Sequence, residues 1–193
     1  LDLAGLDAKF ARAQQAFNVP GLAVAIVKDG KVVFARGYGV RELGRAEPVD
    51  EHTIFGIASN TKAFTAAAVA TLVDAGTLSW DDKVTTHLPY FQLRDPMATL
   101  DMRVRDLLCH RSGLGTFSGD VLWYGSTFDR QEVVRRARHL KTAGPFRARY
   151  GYANVMFGAG GEGVAAAEGQ SWGAYVEEPV LDPLGVRERF ASG

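Results

Sequence analysis

The run from Ala63 to Val73, Ala-Phe-Thr-Ala-Ala-Ala-Val-Ala-Thr-Leu-Val, constrains this chain more than any other stretch. Its alanines and leucine favour a helix, and its apolar residues leave almost no polar face. A helix of that kind belongs in the middle of a domain, with other elements around it. The helix is expected to start near Ser59, run to about Ala75 and stop at Gly76. Ser59 and Lys62, three residues apart at its start, then share one face one turn apart. A serine becomes a nucleophile when a neighbouring base takes its proton, and a lysine in a dry site can be that base. The free N–H groups and positive dipole end of the helix also favour an oxyanion there. The same tetrad reads equally well as a serine N-cap followed by a surface lysine.

The elements before this helix form a separate pattern. Leu3, Leu6, Phe10, Ala13 and Phe17 recur at helical spacing, and Asn18-Val19-Pro20-Gly21 ends that helix. Leu22 to Lys28 and Lys31 to Tyr38 read as two strands joined by an Asp29-Gly30 hairpin turn. The nearly unbroken apolar character of the first strand suggests burial on both faces. Residues 39–53 are polar and turn-rich, as expected of a surface connection.

Beyond the central helix, residues 77–89 read as a loop carrying Trp80 and Asp81-Asp82. A helix is expected from Val104 to His110, ending at Ser112-Gly113. Another is expected over Asp129–Leu140, with Phe128, Val133, Val134 and Ala137 facing inward. Asn154 to Glu168 reads as a small-residue helix whose glycines would permit close packing. Ser171 caps a last helix to about Val180, which Pro179 should stop or bend.

Composition narrows the function classes. The 193 residues suffice for one domain with a real core, and 22 basic side chains balance 22 acidic ones. Nothing in that balance points to nucleic acid or an anionic membrane. The basic residues Arg135, Arg136, Arg138, His139 and Lys141 spread around a helix as a solvated face does. The single cysteine, Cys109, excludes an internal disulfide and reads as a small core residue. No apolar stretch is long enough to span a membrane.

A second informative cluster is Phe146-Arg147-Ala148-Arg149-Tyr150-Gly151-Tyr152-Ala153-Asn154. Tyr152 and Asn154, two residues apart in an extended bend, point the same way. A lysine cation nearby favours the phenolate, so such a tyrosine can act as base and then as acid. Asparagine offers both a donor and an acceptor for a substrate amide or for the lysine. By itself the pair also fits a buried tyrosine tip and a helix cap.

Taken together, these motifs resemble the serine β-lactamase-like family of class C β-lactamases, D-alanyl-D-alanine carboxypeptidases, D-aminopeptidases and EstB-type esterases. The resemblance runs through Val19-Pro20-Gly21, Ser59-Asn60-Thr61-Lys62, residues 76–82, residues 107–114, Tyr152-Ala153-Asn154 and Pro183-Leu184-Gly185. It implies an α+β fold of β-lactamase/transpeptidase type: a hairpin with its helix over residues 1–56 and a mostly helical subdomain over 57–193, together one incomplete domain. It implies Ser59 as nucleophile, Lys62 as base partner, Tyr152 as proton shuttle and Asn154 as a substrate-binding residue that also holds Lys62. His110 reads as structural in this resemblance, and Tyr152 rather than Tyr150 fits the spacing to Asn154. The implied reaction is acyl transfer from an ester, a D-amino-acid peptide or a β-lactam through an acyl-serine, with no cofactor and no metal. A periplasmic or secreted location is slightly favoured on the same ground.

The family's third element, a Lys- or His-x-Gly triad on a later strand, has no match here. Lys141-Thr142-Ala143 precedes Tyr152 and is misplaced for that part. The expectation is therefore an N-terminal portion of such a domain, lacking one wall of the pocket and one oxyanion donor. Its hairpin edge would be open to another chain or to the missing portion. The competing reading is a non-catalytic interaction module that keeps the scaffold.

Overall fold

A computed structural model describes residues 2–187. The chain divides after Gly56 into two compact units.

In the first unit, α1 (Leu3–Ala16) precedes an antiparallel hairpin of β1 (Gly21–Lys28) and β2 (Lys31–Gly39). Asp29 and Gly30 both take positive φ, 52° and 72°, which gives the turn the twist that flanking strands need. The register pairs Leu22 with Tyr38, Val24 with Arg36 and Ile26 with Phe34. α1 lies on this face: Phe10 meets Phe34 at 5.8 Å, and Asp7 accepts from Tyr38 Oη at 2.6 Å and Arg36 at 2.5 Å. Burial and the Asp7 carboxylate push the Tyr38 phenol up to about 12.

The opposite face corrects the expectation of burial on both sides. Ala23, Ala25 and Val27 are exposed, so β1 alternates as a one-sided strand, and the sheet has two strands among the described residues. Phe17 also departs from its expected inward role. It follows the last helical turn and is 80% exposed. Within the connection after β2, Val49 is buried and donates to Gly39 O at 3.1 Å.

The second unit is helical. Its elements are α2 (Thr61–Asp74), α3 (Val84–His87), α4 (Pro96–Asp101), α5 (Val104–Leu107), α6 (Arg130–Arg136), α7 (Asn154–Glu168) and α8 (Trp172–Val176). Two apolar clusters meet along α7. One gathers Phe91, Met102, Val134 and Met156; the other gathers Val69, Leu72, Val164 and Val176. Gly160 and Gly161 lie where a Cβ would press on Leu108 and Trp172 at 3.3 and 3.4 Å, so these two glycines serve close packing, whereas Gly158 and Gly163 face open space.

Several expectations need correction. α2 buries Thr65, Ala68, Val69 and Leu72, but the rest of its surface is half-buried or open rather than enclosed all round. Residues 77–89 contain α3, a single turn too short to show periodicity. α4 lies in a stretch without a clear apolar period, although Asp95-Pro96 carries the N-cap and first-turn signals. α5 stops at Leu107 instead of His110, because the chain turns and His110 adopts a φ of +58°. Cys109, in that turn, is exposed rather than in the core. α6 ends at Arg136 and tightens into a 3-10 turn over Ala137–His139, and Phe128 lies outside under the Arg136 guanidinium at 4.0 Å. Ser171 caps α8 as expected. Pro179, which has no N–H to give, sits in a widened π turn over Glu177–Leu181.

One polar knot ties the second unit together. Arg147 donates to both oxygens of the buried Asp106, at 2.9 and 2.5 Å, and to Asp101 at 2.7 Å. Asp106 also accepts from Arg103 N at 2.9 Å, closing the start of α5. These carboxylates raise the Arg147 pKa further above its usual value. Asp106→Asn is expected to cost about 2–3 kcal/mol in urea unfolding, less than a fully buried pair because the Arg147 side chain is 37% exposed.

Candidate active site

Ser59 lies in a 3-10 turn, Ala58–Asn60, that leads into α2 at Thr61. The α-helix proper therefore begins two residues later than the sequence suggests. Ala58 holds a φ of +45°, an uncommon conformation for a residue with a Cβ, immediately before Ser59. The turn preserves the one-turn relation between the hydroxyl and the amine. Lys62 Nζ donates to Ser59 Oγ at 3.3 Å.

Tyr152 arrives from the other side, on the extended bend before α7. Arg147, with a φ of +60°, begins that bend and fastens it to Asp106. Gly151 N donates to His110 O at 2.8 Å, and a Cβ at Gly151 would fall 2.1 Å from Leu114 O, so only glycine fits. Tyr152 is held by both backbone groups: its carbonyl accepts from Phe117 N at 2.7 Å, and its N–H donates to Thr116 Oγ1 at 3.3 Å. The phenol then reaches Ser59 Oγ at 2.6 Å.

Asn154 opens α7 and completes the group. Its Oδ1 accepts from Lys62 Nζ at 2.5 Å, and its Nδ2 donates to both oxygens of Asp120, at 3.1 and 3.0 Å. The carboxylate can only accept, so it fixes which end of the amide faces the lysine. Asp120 is absent from the sequence reading because an acid after Ser118-Gly119 looks like any turn residue. All four sequence-derived residues, Ser59, Lys62, Tyr152 and Asn154, come together.

Lys62 Nζ also sits 4.7 Å from the centroid of the Tyr152 ring and 5.4 Å from that of Phe157. The Lys62 ammonium, and then the bond to Ser59, hold the Tyr152 phenol below its ordinary value of 10.0. His110 stacks on the same ring at 4.3 Å, and its Nδ1 accepts from Ala153 N at 3.1 Å. Burial, then the Lys62 charge, lowers the His110 pKa and keeps the imidazole in this accepting form. His110 thus braces Tyr152 and makes no bond to Ser59. Tyr150 is 65% exposed and edge-on to His110.

Thr142 bridges to Leu114, and Ala143 donates to Gly113 O at 2.9 Å, so residues 141–143 are structural neighbours of that loop. A cleft of about 440 Å³ opens beside Ser59 and Lys62, with Asn154, Phe157 and Trp172 in its lining. Among the described residues no group of three or more His, Cys, Asp or Glu side chains converges as a metal site, and no helix is long and apolar enough to cross a membrane.

The chain matches the Beta-lactamase family over residues 6–191 and belongs to that family. It is 30% identical to the Unguisins hydrolase ungD of Aspergillus violaceofuscus (strain CBS 115571), over 98% of this chain and 35% of that protein. Its fold superposes on the octameric penicillin-binding protein homologue from Pyrococcus abyssi with a TM-score of 0.83 and 30% identity, covering 96% of this chain and 43% of that one. It also superposes on the D-amino acid amidase from Ochrobactrum anthropi SV3 with a TM-score of 0.78 and 27% identity, covering 95% and 50%. The chain therefore spans about a third to a half of the relatives it matches, and its fold is of the β-lactamase/transpeptidase type.

Two measurements check the electrostatics. The 295-nm phenolate titration of the chain, minus that of Tyr152→Phe, should give a midpoint below 10.0. Lys62→Met should move that midpoint upward. For His110, the unfolded imidazole takes a proton near 6.5 while the folded one resists it until lower pH. The unfolded state therefore binds more protons between those values, and stability falls as pH drops through about 6.5. The urea midpoint should fall less between pH 7.5 and 5.5 in His110→Asn than in the parent.

Proposed function

We propose that the chain carries the acyl-transfer half-site of a serine hydrolase that cleaves ester or amide bonds through an acyl-serine. The observation that carries this reading is the convergence on Ser59 Oγ of the Tyr152 phenol at 2.6 Å and the Lys62 amine at 3.3 Å. A hydroxyl within bonding reach of a phenol that a neighbouring cation can turn into a base is an activated nucleophile.

In this reading Ser59 attacks the carbonyl carbon, and its proton passes to the Lys62–Tyr152 pair. The lowered phenol pKa favours the phenolate, with Lys62 as its counter-charge. The Ser59 backbone N–H, at the head of α2, supplies one donor to the tetrahedral oxyanion. Tyr152 returns the proton to the departing oxygen or nitrogen, then draws one from the water that cleaves the acyl-serine. Asn154, aimed by Asp120, holds Lys62 and offers an amide to the substrate. The substrate classes that fit the family are β-lactams and D-amino-acid amides, with esters as a further class.

The test is intact-mass spectrometry after incubation with a fluorophosphonate and, separately, a penicillin. One adduct per chain is expected, absent in Ser59→Ala. Tyr152→Phe should slow labelling by about 100-fold or more, the usual contribution of a positioned acid–base group. A folded chain that stays unlabelled would favour the non-catalytic interaction module instead.

A further inference from the structure

The cleft beside Ser59 has a composition that the acyl-transfer chemistry does not need. It is lined by two cations, Lys62 and Arg130, and by no acidic side chain. Lys62 is engaged by neutral partners, Ser59 and Asn154. Arg130 has no carboxylate within ion-pair distance among the described residues, and its guanidinium lies over the Trp172 ring at 5.9 Å.

The position of Arg130 is unfavourable for a purely structural cation. It is the first residue of α6, where the helix dipole repels positive charge. The two acids of the same turn are turned elsewhere: Asp129 accepts from Glu132 N at 2.7 Å, and Glu132 pairs with Arg136 at 2.8 Å. Beneath the guanidinium, Trp172 is 8% exposed, and its indole Nε1–H is buried without an acceptor. A half-buried arginine without an ion-pair partner, in a cleft free of negative charge, is the complement of a carboxylate.

Tyr152, the group that hands the proton to the leaving atom, does not line this cleft. In the acyl-serine reading the leaving group departs on the Tyr152 side, which leaves this cleft to what stays on Ser59. We propose that the cleft is an acyl-side subsite for a carboxylate: the preferred acyl donor is a monoester or monoamide of a short dicarboxylic acid, its free carboxylate on Arg130 beside the Trp172 indole. This rests on the acyl-serine reading above. Ser59 Oγ bonds to the carbonyl carbon, the ester C–O or amide C–N bond breaks, and the leaving atom takes the serine proton. Water then releases the diacid and restores the serine.

Two readings separate the subsite from the chemistry. In ¹⁵N-labelled Ser59→Ala protein, titration with succinate, glutarate and adipate should give a saturable shift of the Trp172 indole signal, assigned through Trp172→Phe. Glutaramide should give none, and Arg130→Gln should abolish the glutarate shift while Arg130→Lys keeps part of it. Absence of any diacid shift on the folded chain overturns the proposal. In the parent chain, kcat/KM for the 4-nitrophenyl monoester of glutarate should exceed that for 4-nitrophenyl butyrate by about 10- to 100-fold, the scale of a charge-assisted contact. Arg130→Gln should bring that ratio to within about twofold of unity. A ratio unchanged by Arg130→Gln overturns it too. A diacid shift without turnover of either ester leaves the subsite standing and removes the acyl-serine reading.

Discussion

The placement of one ammonium group governs the rest of the site. Lys62 Nζ is held between Asn154 Oδ1 at 2.5 Å, Ser59 Oγ at 3.3 Å and the face of the Tyr152 ring. Each contact comes from a different element, so the amine records the relative position of α2, α7 and the bend before α7. The packing of α2 on α7 fixes the first, and the Arg147–Asp106 knot fixes the bend. The consequence is electrostatic. A cation near a phenol lowers the phenol's pKa, and the same cation discourages protonation of His110 behind it. Moving the amine by an ångström or two would change three groups at once.

Much of this is legible in the sequence alone. The central helix was visible from its alanines, the hairpin from Asp29-Gly30, and the Ser59–Lys62 relation from helical spacing. Tyr152 and Asn154 were marked by their separation in a turn-rich stretch. What stayed hidden depends on contacts between distant segments. Asp120 gains its role only because Gly119 and the 117–122 turn bring it to Asn154, some thirty residues later in the chain. α3 is a single turn stabilised by loop hydrogen bonds, with no periodicity to read, whereas α5 starts at the expected Val104 and ends three residues early. Cys109 looked like core because its neighbours are apolar, yet α5 ends two residues earlier and the thiol turns out to solvent. The hairpin erred the other way. An apolar strand suggested two covered faces, but only the α1 side is covered within its own unit.

The two corresponding solved chains extend well past the length spanned here, and the likeness stays high across the span that is shared. The helical unit has its own two cores, its own cap residues and a closed polar knot. The side chains that converge on Ser59 all belong to it. The acid–base part of the proposed chemistry is thus contained in one contact network.

The way Tyr152 is fastened has a wider consequence. Its N–H donates to the Thr116 hydroxyl and its carbonyl accepts from Phe117 N–H. The segment that follows those residues carries Asp120 and the exposed aromatics Trp123 and Tyr124. A loop of that kind ordinarily absorbs sequence change cheaply. Here it is a lever arm on the group proposed to transfer the proton, so in that reading variation at its base would register as altered reactivity before it registered as lost stability.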